Sequence, residues 1–221
     1  MAHRQASQLL AADERKQIAR LLNFLLLGEQ LAFDCATRQA KIFQDQNSRR
    51  FLLSQARQEA FHAKIFKAGI GILMPRGVGD AIGKTAMQDY RRLLESALDR
   101  GDAAESLLGM QIVLEGLGDI ALNRISAGIP DRGMSFKRVR QLVVGQEDAH
   151  HSFGLRRFEQ LLSTNTARVS ELSLRADDYL ELAGKLITSV ATLFEYFEED
   201  PKEYLQELLQ TIPQNISREA A

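Results

Sequence analysis

The sequence predicts an all-α protein, and three observations carry that expectation. Apolar residues recur at steps of three and four along almost all of the 221 residues, no segment sustains the strict alternation of a half-buried strand, and the four prolines fall in breaks or helix starts. An apolar fraction of 45% in a chain of this length can fill a sizeable core, so one domain spanning 1–221 is expected.

The elements follow in order. A first long helix fits about 12–44, beginning near Asp13, and a second fits about 48–71, with Asn47 or Ser48 placed to cap it. The glycine-rich stretch "GILMPRGVGDAIGK" is a connection, after which a shorter helix fits about 85–99. "DRGD" precedes another long helix at about 102–128, where Asp102 and Glu105 have capping-box spacing. "AGIPDRG" ends it. A fourth long helix fits Ser135 to Leu162, and a fifth fits about 166–198 after "STNT". Pro201 opens a short final helix, and the tail after Pro213 is expected to be loose.

The charges nearly cancel, at −1, so no overall basic field argues for nucleic acid or an anionic membrane as partner. The single cysteine, Cys35, forms no internal disulfide and reads as an ordinary core or boundary residue. No apolar run reaches the roughly 20 residues of a membrane span, and "MAHRQASQLLAADERK" lacks the apolar core of a signal peptide, so a soluble, cytoplasmic protein is expected.

The chemistry lies in a motif that occurs twice. "RQEAFHAK" holds Glu59 and His62, and "GQEDAHHS" holds Glu147 and His150 at the same spacing. Side chains three apart share one face of a helix, so each pair aims a carboxylate and an imidazole at a common point. Each pair is preceded, one helix upstream, by a lone glutamate in an apolar run: Glu29 in "LLLGEQLAF", with Leu22, Leu25, Leu26, Ala32, Phe33 and Ala36 on its face, and Glu115 in "IVLEGLG". Glu29 precedes Glu59 by 30 residues and Glu115 precedes Glu147 by 32, so the two halves read as offset copies. Four carboxylates buried without partners would each lose several kcal/mol of solvation, whereas a pair of dications offsets that cost.

In these six residues the sequence resembles the ferritin-like di-iron carboxylate proteins, which carry one Glu on each of two helices and Glu-x-x-His on the other two. The resemblance spans about 12–163 and implies an antiparallel four-helix bundle with a helix-containing crossover and additional C-terminal helices at about 166–211. It implies that Glu59 and Glu147 bridge two metals, that Glu29 and Glu115 are terminal ligands, and that His62 and His150 each bind one metal. Gln58 and Gln146 stand where many relatives place an aspartate that orients a histidine, and this departure puts the usual supporting network in question. Asp119 is a candidate to hydrogen-bond a ligand or add a carboxylate; His151 is a candidate neighbour of the metals. Gly28, Gly116 and Gly118 beside the ligand glutamates, with Ala32, Ala36, Ala56 and Ala63, suggest either close helix packing or a small apolar cavity. The tyrosines lie away from the ligand-bearing segments, so no radical site is expected.

Oxygen-rich ligands with two imidazoles suit iron, or manganese or a mixed pair, over Mg or Ca. The resemblance then implies two Fe ions, O2 as co-substrate, a small organic substrate and an external electron donor such as a ferredoxin or reductase. Three activities are open: an oxidase or oxygenase, which the crossover of more than fifty residues and the long fifth helix favour; an iron-storage ferroxidase; and a peroxide-reducing relative. The outer face of the first helix and the fifth helix offer area for a homodimer.

Overall fold

A computed structural model describes residues 11–79, 81–128 and 136–216. Every regular element among them is helical: α1 (Ala12–Ile42), α2 (Gln46–Leu73), α3 (Lys84–Asp99), α4 (Ala103–Leu107), a π-helical segment (Leu108–Leu114), α5 (Glu115–Gly128), α6 (Phe136–Thr164), a 3₁₀ turn (Thr166–Arg168), α7 (Val169–Ser189), α8 (Ala191–Phe197) and α9 (Pro201–Thr211). None of the described helices is long and apolar enough to cross a membrane.

Four long elements form the bundle. α1 packs along α2, and the π segment with α5 packs along α6. α3, inside the crossover, lies against α1 and α7, while α9 closes on α5 and α7. The core these helices share includes Leu31, Leu52, Leu94, Ile112, Phe158 and Leu172, all essentially inaccessible; each such side chain contributes about 1.5–3 kcal/mol relative to exposure.

Several boundaries differ from the sequence reading, each for a local reason. α2 is capped by Asp45, whose carboxylate accepts from the Ser48 N–H, so the helix starts before Asn47 and Ser48. Asp102 caps α4 by accepting from the Glu105 N–H, but Glu105 does not return the bond: its buried carboxylate turns to Arg100 at 2.7 Å. Arg168 instead grips Asp102 through both guanidinium nitrogens, tying the start of the C-terminal helices to the crossover.

The expected helix over 102–128 is not uniform, since Leu108–Leu114 winds as a π-helix and the Glu115 N–H donates to the carbonyl of Met110. The expected helix over 166–198 breaks at Val190 (φ −114°, ψ 16°), where Thr188 and Ser189 have turned their hydroxyls back onto the carbonyls of Gly184 and Leu186. Pro213–Ile216 is a packed turn with Ile216 buried, not a loose tail, whereas residues 217–221, like Ser135 at the expected start of α6, lie outside the described residues.

Candidate metal centre

Two helices with a strict inward face carry the repeated motif. On α2 the buried positions are Ser48, Leu52, Gln55, Ala56, Glu59, His62 and Phe66, and on α6 they include Val143, Glu147, His150, Gly154 and Phe158, mostly at steps of three and four. α1 contributes Glu29 from a buried face with Ala32 and Ala36, although Phe33, expected on that face, is exposed. Glu115 enters at the first turn of α5, immediately after the π segment.

All six predicted side chains converge. They form two overlapping quartets, Glu29, Glu59, His62 and Glu147, and Glu59, Glu115, Glu147 and His150, each offering one ligand atom per residue within 4.8 Å of the others. Glu59 and Glu147 belong to both. Nδ1 of His62 lies 3.3 Å from Glu29, 3.3 Å from Glu59 and 3.1 Å from Glu147. Nδ1 of His150 lies 3.0 Å from Glu59 and 3.9 Å from Glu147. Both Glu59 oxygens, one Glu147 oxygen and His150 Nδ1 are buried without an aligned hydrogen-bond partner, an arrangement costly in a protein interior unless a cation sits among them.

The electrostatics divide the six groups. Burial, opposed by His62 but reinforced by Glu147 and Glu59, holds the Glu29 carboxyl well above the carboxylate range, and burial with the charges of Glu147 and Glu59 does the same to Glu115. Burial would also raise Glu59, but the His150 and His62 imidazoles bring it below its ordinary value; for Glu147, Glu115 and the two imidazoles overcome burial in the same direction. Against the burial that disfavours charge, the carboxylates lift His62 to about 12 and His150 to about 9. Without metal, the shifts favour charged imidazoles facing charged Glu59 and Glu147, and push the outer glutamates toward their protonated forms.

Gln58 and Gln146 turn out to support the histidines. The Gln146 carbonyl accepts from Nε2 of His62 at 2.7 Å, and Gln58 does the same for Nε2 of His150 at 2.8 Å, each reaching across to the other motif's imidazole. These crossed contacts also show that α2 and α6 run antiparallel. The expected departure from an aspartate therefore still holds the Nε2–H tautomer and leaves Nδ1 toward the carboxylate cluster.

Asp119 and His151 stand outside both quartets. Asp119 accepts from the Asn123 amide at 3.0 Å. His151 lies with Nδ1 2.9 Å from the Gln111 carbonyl, which can only accept, so Nδ1 carries its proton and secures the π segment. Gly116 leaves room for this ring: a Cβ there would lie 3.3 Å from His151. Gly28 and Gly118 have no such neighbour within 4 Å. Ala32, Ala36 and Ala56 are core residues, while Ala63 joins Glu29, Gln30, Phe33, Ala60 and Arg91 in lining an open cleft of about 400 Å³. Cys35, read as a core or boundary residue, is in the core.

Sequence reasoning missed a buried amide chain. Gln55 donates to Glu115 at 2.9 Å; Gln111, within the π segment, donates to Gln55 and exchanges hydrogen bonds with Gln39, which donates to Ser106. Gln39, Gln55, Gln111 and Ser106 are each 0% exposed. The readable signal was position: Gln55 and Gln111 each stand four residues before a ligand-face glutamate, Glu59 and Glu115. Tyr90 and Tyr179, expected far from the centre, lie against the same segment, with the Tyr90 hydroxyl donating to the Gly109 carbonyl at 2.5 Å.

No protein-family model matches the chain, and none of the curated proteins matches it in sequence. Among solved structures, a Synechococcus protein with aldehyde deformylating oxidase activity is similar, at 20% identity and a TM-score of 0.79, over 96% of this chain and 94% of that one. This likeness establishes the fold as a ferritin-like helical bundle, and the carboxylate and histidine cluster within it fits a dinuclear metal site.

Proposed function

We propose that this chain is a di-iron oxidase or oxygenase that uses O2 on a small organic substrate. The observation that carries the reading is the pair of overlapping quartets, in which two carboxylates serve both metal positions and each position receives one further carboxylate and one imidazole. Glu59 and Glu147 would bridge, Glu29 and Glu115 would be terminal, and the two Nδ1 atoms would complete the set. Bound iron would supply the electrons and the open coordination positions that O2 activation needs.

The protein's own contribution is positioning and exclusion. Gln58 and Gln146 fix the imidazole tautomers, and Gln55 holds one oxygen of Glu115. The centre is closed to water on most sides, with His62 and Glu59 wholly inaccessible. Glu29, the candidate ligand that reaches the cleft, lines it together with Phe33, Ala60 and Ala63, which would offer an apolar wall to an organic substrate, and with Arg91, paired with Asp34 at 2.8 Å. The activity of the Synechococcus neighbour makes aldehydes the first substrate class to try.

The test is an anaerobic ferrous titration of metal-free protein, followed by admission of air. Saturation near two irons per chain with a single round of oxidation supports the reading. Uptake far beyond two indicates storage, and failure to hold iron or manganese removes the catalytic reading.

A further inference from the structure

The outer face of α2 differs from every other long helix in its charge. Its exposed charged residues are Arg49, Arg50, Arg57, Lys64 and Lys67, with no exposed acid among them, whereas α1, α3, α6 and α7 each expose both signs. None of the five makes an ion pair with a described residue. At steps of three and four, Arg50, Leu53, Arg57, Phe61 and Lys64 fall on one stripe, and Leu53 and Phe61 are large apolar side chains left 42% and 48% exposed. Unneutralised cations interleaved with exposed apolar groups have the composition of a protein interface more than of a solvated face.

The stripe is placed on the helix that carries the metal-binding motif. Glu59 and His62 point inward from α2, and Arg57, Phe61 and Lys64 point outward from the same turns, so the two sets are separated by about 10 Å, the thickness of one helix. If the proposed activity holds, two-electron oxidation of a substrate by O2 requires two more electrons to reach water. The chain's one cysteine cannot hold an iron–sulfur cluster, so those electrons come from another molecule.

We propose that the outer face of α2 is the docking surface for a small acidic electron-transfer protein. This rests on the oxidase or oxygenase reading for its redox part. Each encounter oxidises one reduced partner by one electron and passes that electron across α2 to the centre. Two encounters supply two electrons that, with two protons from solvent, complete the balance. An oxidase substrate gives two further electrons and two protons and O2 becomes two waters, whereas an oxygenase product keeps one oxygen atom and one water forms. The stripe from Arg50 to Lys67 is about 26 Å long at 1.5 Å per residue, the scale of the small, weak interfaces that redox partners form. The absence of a wider basic field, in a chain of net charge −1, argues against nucleic acid or membrane as occupant.

The experiment uses the metal-free full chain and a small acidic [2Fe–2S] protein as probe, followed by NMR titration at low and high salt. Shifts centred on α2, weakened at least about tenfold by the double variant Arg57→Glu/Lys64→Glu and little changed by Lys185→Glu/Lys202→Glu, are expected. Both variants are surface changes whose thermal unfolding checks the fold. Binding that is insensitive to the α2 reversal, or no salt-dependent binding to α2, overturns the proposal; so does α2-dependent binding of single-stranded RNA or anionic vesicles in place of the acidic protein. A second arm separates the two readings: with iron loaded, dithionite should reduce wild type and variant alike, while the reduced [2Fe–2S] protein should reduce only wild type at full rate. A centre that dithionite cannot reduce defeats the functional reading without touching the binding result.

Discussion

Gln146 accepts a hydrogen bond from Nε2 of His62 at 2.7 Å, although the two residues lie 84 positions apart. Gln58 and His150 repeat the contact at 2.8 Å, so each Glu-x-x-His helix supplies the support for the other's imidazole. An amide can fill this role because its carbonyl accepts the Nε2 proton, but it brings no charge. Each imidazole therefore depends for its charge on the carboxylates at Nδ1.

The first prediction follows from that contact. Gln146→Leu and Gln58→Leu should each weaken metal binding about 10- to 100-fold, the range for removing a partner of a ligating histidine. Chelator competition checks it, and the two losses should fall on different metal positions. Unchanged affinity in both variants would mean that burial alone orients the rings.

The second prediction separates the shared ligands from the outer ones. Glu59→Ala and Glu147→Ala should abolish retention of both metals, because each residue belongs to both quartets, whereas Glu29→Ala should leave the position around His150 occupied. Metal content per chain after desalting reads the difference. Equal retention by Glu59→Ala and Glu29→Ala would contradict the bridging geometry.

The third prediction concerns protons. In the metal-free centre His62 and His150 are lifted to about 12 and about 9, and burial pushes the Glu29 and Glu115 carboxyls upward. Loading two divalent ions at neutral pH should release about two protons from the imidazoles, with the raised outer carboxyls adding to that number. Calorimetry in buffers of different ionisation enthalpy measures this. The stability signs agree: groups whose folded pKa is raised stabilise most below their unfolded values and lose that contribution as pH rises. The metal-free protein should therefore lose stability from pH 6.5 to 9, and its gap in Tm from the loaded protein should widen. The depressed carboxylates, Glu59 and Glu147, act oppositely, and their contribution disappears as pH falls below about 4.5.

The candidate ligand residues were readable because burial and helical period speak together: a charged residue in an apolar stripe, repeated at one spacing in two halves, has few explanations. The π segment was not readable. "LLGMQIVLEGL" suits an α-helix equally well, and what winds it differently is tertiary: Tyr90 reaches the Gly109 carbonyl, His151 the Gln111 carbonyl, and Gln55 and Gln39 the Gln111 side chain. The break at Val190 was likewise hidden, because an unbroken apolar period runs across it while Thr188 and Ser189 bend the backbone.

The last prediction tests how tightly that segment is held. A Cβ at Gly154 would lie 2.3 Å from the Gln111 Cβ, too close for either helix to tolerate without moving. Gly154→Ala should cost about 1–3 kcal/mol by overpacking and also disturb the amide chain that ends on Glu115, so metal affinity should fall with it. Gly118 sits inside α5 with nothing within 4 Å of its added Cβ, and Gly118→Ala should stabilise by about 0.5–1 kcal/mol through helix propensity. Denaturant unfolding of both metal-free variants reads the two signs. If Gly154→Ala is neutral, the π segment is free to shift and Gln111 does not position Glu115; if Gly118→Ala destabilises, the open space beside Glu115 is required by the fold itself.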